Sequence, residues 1–239
     1  MGWTRISEAA GKLLPLLARG RLDFDFDGVP LRAEGLDWGR RLNLLASGLG
    51  GALGLRRMPG LPPALQIEPT NLCDLQCPLC PTGTGSSNRP RGKMSADTFE
   101  KLLEDVGDKL VFAILYGWGE PLLHPRFARM VARCSERGIV TLTSTNGQHL
   151  QTLDEALAVV DAGLDALIIA MDGGTQETYE RYRRGGSLEK TRRCARMVEK
   201  AKRVRGSSTP YTDIRTVVTR HNEPELTEIR RFAKEAGVN

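Results

Sequence analysis

Residues 73–80 read Cys-Asp-Leu-Gln-Cys-Pro-Leu-Cys and follow a short apolar strand predicted at Leu65–Glu68. The spacing Cys-x3-Cys-x2-Cys places Cys73, Cys77 and Cys80, three of the five cysteines, in one loop. Thiolates commonly hold iron–sulfur clusters, and a cubane cluster has four irons. Three cysteines therefore leave one iron open to bind another molecule. The motif favours a catalytic [4Fe–4S] cluster.

Two other interpretations of the cysteines remain open at this point. A zinc knuckle needs a fourth Cys or His, and His124 and His149 lie far along the chain. A disulfide with a spare thiol needs an oxidising compartment, and residues 1–20 lack the apolar block of a signal peptide. Cys134 and Cys194 fall on the apolar faces of predicted helices, where a thiol packs as a small hydrophobe. Free cysteines without an export signal indicate the cytoplasm.

The composition is that of an ordinary globular protein. Of 239 residues, 40% are hydrophobic and 26% charged, and a net charge of +5 is too mild to indicate a nucleic-acid partner. The longest uncharged run, 42–55, is too short for a transmembrane segment, which needs about 20 residues. We expect this run to be buried against the main domain. The basic stretch 181–205 has a single aromatic residue, Tyr182, and no aromatic platform for stacking bases, so it predicts a solvated helix face.

Residues 1–62 form an N-terminal extension in our interpretation. The pattern predicts a short helix at Ile6–Leu17 and a hairpin that turns at Asp27-Gly28, because residues 22–26 alternate apolar and acidic side chains. A linker rich in Pro and Gly follows at 58–63. No chemistry is expected of this region.

Residues 63–239 alternate apolar strands with amphipathic helices. Such repeats predict a parallel sheet with right-handed crossovers, hence an α/β fold: a partial TIM-like (βα) barrel with catalytic groups at the carboxyl ends of its strands. The chain ends where another strand would begin, so we expect at least one C-terminal unit to be missing. The five predicted strands are Leu65–Glu68, Val111–Tyr116, Ile139–Thr145, Ala166–Met171 and Thr212–Thr219.

Polar residues follow the predicted strands at the edge where the cysteines lie. Gly119-Glu120-Pro121 follows the second strand, Asn146 the third, preceded by Thr145, and Asp172 the fourth. Hydrogen bonding to a ligand is one interpretation; a plain surface turn, or capping by Asn146 and Asp172, is the other. Arg215, within the fifth strand, faces either the lumen or solvent.

Together these stretches resemble the radical S-adenosylmethionine (radical SAM) superfamily, in particular the branch that often carries a C-terminal SPASM or twitch domain. The resemblance covers roughly residues 64–239. The stretches that carry it are Ile67–Cys73 with the cysteine motif, Gly117–Pro125, Ser144–Gly147, Met171–Thr175 running to Arg183–Ser187, and Arg220–Glu223. Trp118 stands where the usual Gly-Gly-Glu-Pro motif has its first Gly.

The resemblance implies a site for two cofactors, a [4Fe–4S] cluster and S-adenosylmethionine. Reductive cleavage of S-adenosylmethionine would give a 5′-deoxyadenosyl radical that abstracts hydrogen from substrate. Cys73, Cys77 and Cys80 would hold the cluster. The remaining implied contacts are Gly119, Glu120 and Pro121 to the methionine end, Leu79 to the adenine, Asn146 and Asp172 near the nucleoside or substrate, and Arg215 to the methionine carboxylate.

By analogy with the family, the activity is the maturation of a peptide, protein or cofactor precursor. It implies an external electron donor such as a flavodoxin or ferredoxin. An activating enzyme that makes glycyl radicals is a second enzymatic interpretation. A non-catalytic iron–sulfur or metal-binding module is the alternative from another class.

Overall fold

The structure, a computed structural model, describes residues 13–239. The first of these, 13–19, are helical (α1); the rest of the helix predicted at Ile6–Leu17 lies outside the described residues. Strands β1 (Leu22–Phe26) and β2 (Val29–Ala33) pair antiparallel. Asp27 and Gly28 have φ of 53° and 80°, left-handed values that favour Gly and are tolerated by Asp. The predicted hairpin is confirmed.

A parallel five-stranded sheet follows, with its strands side by side in chain order. This confirms the predicted α/β architecture of a partial barrel. The strands are β3 (Ala64–Gln66), β4 (Phe112–Ile114), β5 (Val140–Thr145), β6 (Ala166–Ala170) and β7 (Tyr211–Arg215). The helices after α1 are α2 (Trp38–Ala52), α3 (Pro81–Thr84), α4 (Ala96–Val106), α5 (Phe127–Ser135), α6 (Leu153–Asp161), α7 (Gln176–Tyr182), α8 (Leu188–Arg205) and α9 (Leu226–Ala236).

Local sequence explains where these helices begin and end. The Ser95 hydroxyl caps α4 by accepting from the Thr98 backbone N–H. Thr152 and Glu155 form a reciprocal capping box at the start of α6. Gly237 ends α9 in a left-handed conformation with φ of 79°.

The outer face of the sheet carries the main core. Alternate strand residues such as Ala113, Leu167 and Ile169 pack there against the apolar faces of the helices. Cys134 and Cys194 are fully buried free thiols in this core, as predicted. Burial raises the pKa of Cys134 to about 12 and that of Cys194 further. Both thiols are inert at neutral pH and act as packing groups.

The inner face of the sheet is covered at its amino end by the N-terminal hairpin. The rings of Phe24 and Phe26 each lie 5.3 Å from that of Phe112. Around them is a second apolar cluster, which we call the hairpin cluster: Leu16, Val29, Leu31, Ala33, Leu36, Val111, Phe112, Val140, Leu142, Ala166 and Ile168. The N-terminal segment thus shares a core with the sheet.

Helix α2 corrects the expectation for the uncharged run 42–55. Most of the run is helical, but Leu42, Leu49 and Leu53 are exposed rather than buried against the main domain. The helix is held by Leu44, which packs against the hairpin cluster, and by the Arg40 guanidinium, which donates to the carbonyls of Gly107 and Arg137. Within residues 13–239, no helix has the length and apolar character needed to cross a membrane.

Candidate active site

The cysteine loop follows β3 and is fixed at both sides by backbone contacts. Thr70 pairs with Lys93 in an isolated antiparallel bridge, and its hydroxyl donates to the Gly92 carbonyl at 2.8 Å. The Gln76 N–H donates to the Arg184 carbonyl at 3.0 Å, across the top of the sheet. These contacts set the loop over the carboxyl ends of the strands.

Cys73, Cys77 and Cys80 line one cavity of about 160 Å³. All three thiols are free. Burial raises the pKa of Cys73 to about 11 and also raises that of Cys77. Because metal ligands must be thiolates, occupation of this site would release protons.

The three thiols are the donor set that a cubane cluster needs from a protein. A cubane binds thiolates at separate irons, whereas a structural zinc site takes four protein ligands. Three thiols on the wall of one cavity therefore fit the cluster.

The turn Gly119-Glu120-Pro121 packs directly on the cysteine loop. A Cβ on Gly119 would lie 2.1 Å from the Thr70 carbonyl oxygen, so only Gly allows this approach. The Glu120 N–H donates to the Leu72 carbonyl at 2.7 Å. Pro121 begins a short 3₁₀ helix, Pro121–Leu123. The structure thus joins two predicted site motifs that lie far apart in sequence.

The Glu120 carboxylate is buried and lines the same cavity. It accepts hydrogen bonds from the Thr145 hydroxyl at 2.9 Å and the Asn146 N–H at 2.7 Å. Burial raises its pKa to about 7 despite these bonds. In the described part of the chain, no Lys, Arg or His side chain forms an ion pair with it. Such a group favours binding of a cation.

Asn146, at the end of β5, reaches the cysteine loop through its side chain. Its Nδ2 donates to Asp74 Oδ1 at 2.7 Å and lies 3.9 Å from Cys73 Sγ. The other Asp74 oxygen lies 3.2 Å from His149 Nε2. The nearby Asp74 carboxylate raises the pKa of His149. Asn146 therefore contacts the loop through its Nδ2, and its Oδ1 also caps its own turn by accepting from the Gln148 N–H at 3.0 Å.

Asp172, at the end of β6, is fully buried and holds an arginine in the cavity. Its Oδ2 accepts from Arg183 Nε, and its Oδ1 accepts from the Val217 N–H at 2.6 Å. Arg183 Nη1 lies 4.0 Å from Cys77 Sγ. Asp172 is thus connected to the cysteines through Arg183.

Two predicted site residues lie elsewhere in this structure. Leu79 is 74% exposed and does not line the cavity, so its contact with adenine stays a prediction. Arg215 is on the inner face, but its guanidinium bonds Asp213, at 2.8 Å, and Asp27 of the hairpin turn. Its predicted pairing with a methionine carboxylate also stays a prediction.

Sequence reasoning missed several residues that shape the site. Glu68 Oε1 accepts from the Trp118 N–H at 2.6 Å and from the Gly119 N–H at 3.3 Å, fixing the turn. The sequence places Arg183 in one of the stretches that resemble the family, and it places His149 too far along the chain to complete a zinc knuckle. Glu68 lies just before the cysteine loop in the sequence, and a carboxylate at that place could have been recognised as part of the site. No local sequence pattern indicated that Arg183 or His149 belongs to it.

The inner face of the sheet leads into the cavity. Ser144 and Ala170 follow Leu142 and Ile168 of the hairpin cluster on that face, and both line the cavity with Tyr116. The site therefore offers three thiols, a polar wall and a buried carboxylate that forms no ion pair within residues 13–239. These groups fit a thiolate-held cluster with an amino-group-bearing ligand beside it.

The comparisons with known proteins agree with this geometry. Residues 67–233 match the model of the family described as the radical SAM superfamily. The chain is 30% identical over 182 residues to the tungsten-containing aldehyde ferredoxin oxidoreductase cofactor-modifying protein of Pyrococcus furiosus, covering 73% of this chain and 49% of that protein. It is 27% identical over 181 residues to the AdoMet-dependent heme synthase of Methanosarcina barkeri, covering 75% and 49%.

Among solved structures, the fold is similar to that of SuiB from Streptococcus suis bound to S-adenosylmethionine. The TM-score is 0.64 at 17% identity, covering 98% of this chain and 49% of that one. This likeness concerns the fold. The chain spans about half the length of the curated relatives it matches.

Proposed function

The chain belongs to the radical SAM superfamily, and we propose that it acts as a radical S-adenosylmethionine enzyme. The observation that carries this proposal is that the three motif cysteines and the buried Glu120 line one cavity. Thiolates and a cation-accepting carboxylate are the two kinds of group that the cofactor pair requires. We take the site to be built for both cofactors at once.

In this proposal, Cys73, Cys77 and Cys80 hold a [4Fe–4S] cluster and leave one iron for S-adenosylmethionine. When bound, the cluster supplies the electron that cleaves S-adenosylmethionine to methionine and a 5′-deoxyadenosyl radical, which abstracts hydrogen from substrate. The protein binds, orients and excludes water, as is usual for cofactor enzymes.

Glu120 and its turn bind the methionine end. The buried carboxylate is stabilised when an ammonium group comes near, because the charge offsets its desolvation. Gly119 and Pro121 fix the turn on the cysteine loop, so that the carboxylate is held ready before the ligand arrives. Asn146 lies beside the nucleoside, and Leu79 and Arg215 act at the adenine and the carboxylate if they move to the cavity.

The substrate class follows from the relatives. One is named as a cofactor-modifying protein and another as a heme synthase, which supports a cofactor precursor as the substrate; a peptide or protein precursor is proposed by analogy with the family. The reductant is an external donor such as a flavodoxin or ferredoxin, and the location is cytoplasmic. We assign this chemistry to residues 63–239 and treat 1–62 as an N-terminal extension.

Electron paramagnetic resonance tests the proposal. The protein is reconstituted anaerobically with iron and sulfide, reduced with dithionite and measured with and without S-adenosylmethionine. We expect about four irons per chain and a [4Fe–4S]⁺ signal that changes when S-adenosylmethionine is added. Cys77→Ala should abolish the signal. Cys134→Ala is the matched control, because that thiol is buried in the outer core, and it should retain the signal.

Two results would contradict the proposal. A protein that binds zinc and forms no cluster would be a structural metal module. If the cluster signal does not change on addition of S-adenosylmethionine and no 5′-deoxyadenosine is released, the protein would be a non-catalytic iron–sulfur module.

A further inference from the structure

Arg183 lies in the cavity without a role in the motifs discussed above. It caps the carboxyl end of α7, where its N–H donates to the Tyr179 carbonyl at 2.8 Å. The next residue, Arg184, accepts from the Gln76 N–H of the cysteine loop at 3.0 Å. The backbone around Arg183 is therefore fastened to the loop that carries the cysteines.

The Arg183 side chain is held in one orientation by Asp172. The carboxylate is fully buried, and the guanidinium is largely so, at 18% exposure. Because one Asp172 oxygen accepts from Arg183 and the other from the Val217 N–H, the carboxylate itself cannot turn freely. A buried ion pair with this geometry resists separation, since either partner alone would be an uncompensated charge.

The guanidinium faces one particular cysteine. Arg183 Nη1 is 4.0 Å from Sγ of the buried Cys77. Nη1, rather than the Nε that bonds Asp172, is the guanidinium nitrogen at this distance from the sulfur. The positive charge of Arg183 therefore lies beside Cys77.

The other two motif cysteines have different surroundings. Cys73 Sγ lies 3.9 Å from the neutral Asn146 amide, and Cys80 Sγ lies 3.8 Å from the Trp118 carbonyl. Within residues 13–239, a cationic side chain thus approaches only Cys77 at hydrogen-bonding distance among the three.

We propose that Arg183, held by Asp172, stabilises the reduced form of the cluster through Cys77 and so raises its reduction potential. The inference rests on the function proposed above. Reduction adds one negative charge to the cluster, and a fixed positive charge beside a ligand sulfur lowers the energy of that state. Asp172 is a positioning residue that acts through Arg183.

The test is an equilibrium redox titration of the reconstituted protein without S-adenosylmethionine. Omitting this ligand separates an effect on the cluster from an effect on cofactor binding. In Arg183→Gln, the ratio of reduced to oxidised cluster at a fixed potential should fall about tenfold, which corresponds to about 59 mV for one electron. Arg181→Gln is the matched control, because it removes an exposed charge from the same helix, and it should leave the ratio unchanged.

A second variant covers the case in which Arg183→Gln does not hold a cluster. Arg183→Met with Asp172→Asn removes both charges and leaves no unpaired buried carboxylate. Its ratio should also fall, by less than about tenfold, because the guanidinium beside Cys77 Sγ is lost together with the opposing carboxylate that bonds Arg183 through Nε.

An unchanged or increased ratio in whichever variant loads would overturn the inference. The proposed function would survive that result if the wild-type signal still responds to S-adenosylmethionine. Absence of a cluster from the wild-type protein would instead defeat the proposed function.

Discussion

The two ends of the inner sheet face differ in composition although they belong to the same strands. At the amino end, the hairpin cluster packs Phe24 and Phe26 on Phe112. At the carboxyl end, the same face passes through Ser144 and Ala170 into a cavity with three thiols and Glu120. One end contributes stability through apolar burial, and the other retains polar groups for ligands.

The comparison shows that one end of the sheet stabilises the fold and the other end forms the candidate ligand site. Apolar area removed from water at the hairpin end stabilises the fold. At the carboxyl end, burial raises the pKa values of the Glu120 carboxyl and of the Cys73 and Cys77 thiols, so their charged forms are disfavoured until ligands arrive. Substitutions at the two ends should therefore affect different measurements.

The largest effect is expected from Phe112→Ala at the hairpin end. Removing a buried ring that contacts two other rings should lower the free energy of unfolding by about 4 kcal/mol, as measured by urea denaturation. Phe112→Leu retains more apolar volume, so its free energy of unfolding should fall by clearly less. The cluster signal of the protein that remains folded should be unchanged. A loss under about 1 kcal/mol would show that the hairpin does not pack as described.

A pH-dependent effect is expected from Glu120. Its folded-state pKa of about 7 lies above the ordinary value of 4.5. Its stabilising contribution is therefore full below about pH 4.5 and is lost as the pH rises through about 7. Without cofactors, the wild type should lose about 3 kcal/mol across this window that Glu120→Gln does not lose.

Urea denaturation at several pH values measures that difference. The slope of stability against pH is compared, because the substitution also disturbs hydrogen bonds at every pH. Glu104→Gln, at an exposed position of α4, is the control and should leave the slope as in the wild type. Equal slopes for Glu120→Gln and the wild type would show that the carboxyl does not titrate in this range.

Gly119→Ala should disturb the carboxyl end with a smaller effect on stability. The added Cβ would meet the Thr70 carbonyl and displace the turn from the cysteine loop, costing about 2 kcal/mol. The amount of iron that the variant binds after reconstitution should also fall. Gly92→Ala is the control, since its Cβ meets nothing within 4 Å and its φ is ordinary. Full iron content in Gly119→Ala would contradict the described packing.

The smallest effect is expected from Asp27→Asn, which breaks the ion pair linking the hairpin to Arg215. Asn keeps the left-handed turn, and the Asp27 side chain is 70% exposed, so the pair is screened by solvent. The free energy of unfolding should change by less than about 1 kcal/mol. A larger loss in urea denaturation would mean that this pair, and not apolar packing, holds the hairpin.

Local patterns predicted much of the fold. The alternation in residues 22–26 and the Asp27-Gly28 turn predicted the hairpin, because strand periodicity and turn chemistry are local. Helix α2 was missed: its exposed leucines and its buried Arg40 reverse the usual pattern. The Nη2 of Arg40 donates to carbonyls that are remote in sequence.

The candidate site likewise combines features that local sequence patterns predicted with features that depend on the tertiary structure. The cysteine spacing and the Gly-Glu-Pro turn were recognisable because both are short, contiguous motifs. The place of Arg183 was not, since its approach to Cys77 depends on Asp172 and on the docking of the segment after α7. Likewise, His149 and Asp74 are far apart in sequence and come together only in the folded protein.

The sequence by itself determined the cysteine motif, the strand and helix order and the family, because these depend on spacing and periodicity along the chain. Only the tertiary structure decided which charges surround each thiol, that Glu120 is buried with no ion pair to the residues that the structure describes, and that Arg215 bonds the hairpin. The physical reason is that burial and electrostatic fields come from groups brought together across the sheet. Such effects depend on distance in space, which the order of residues does not state.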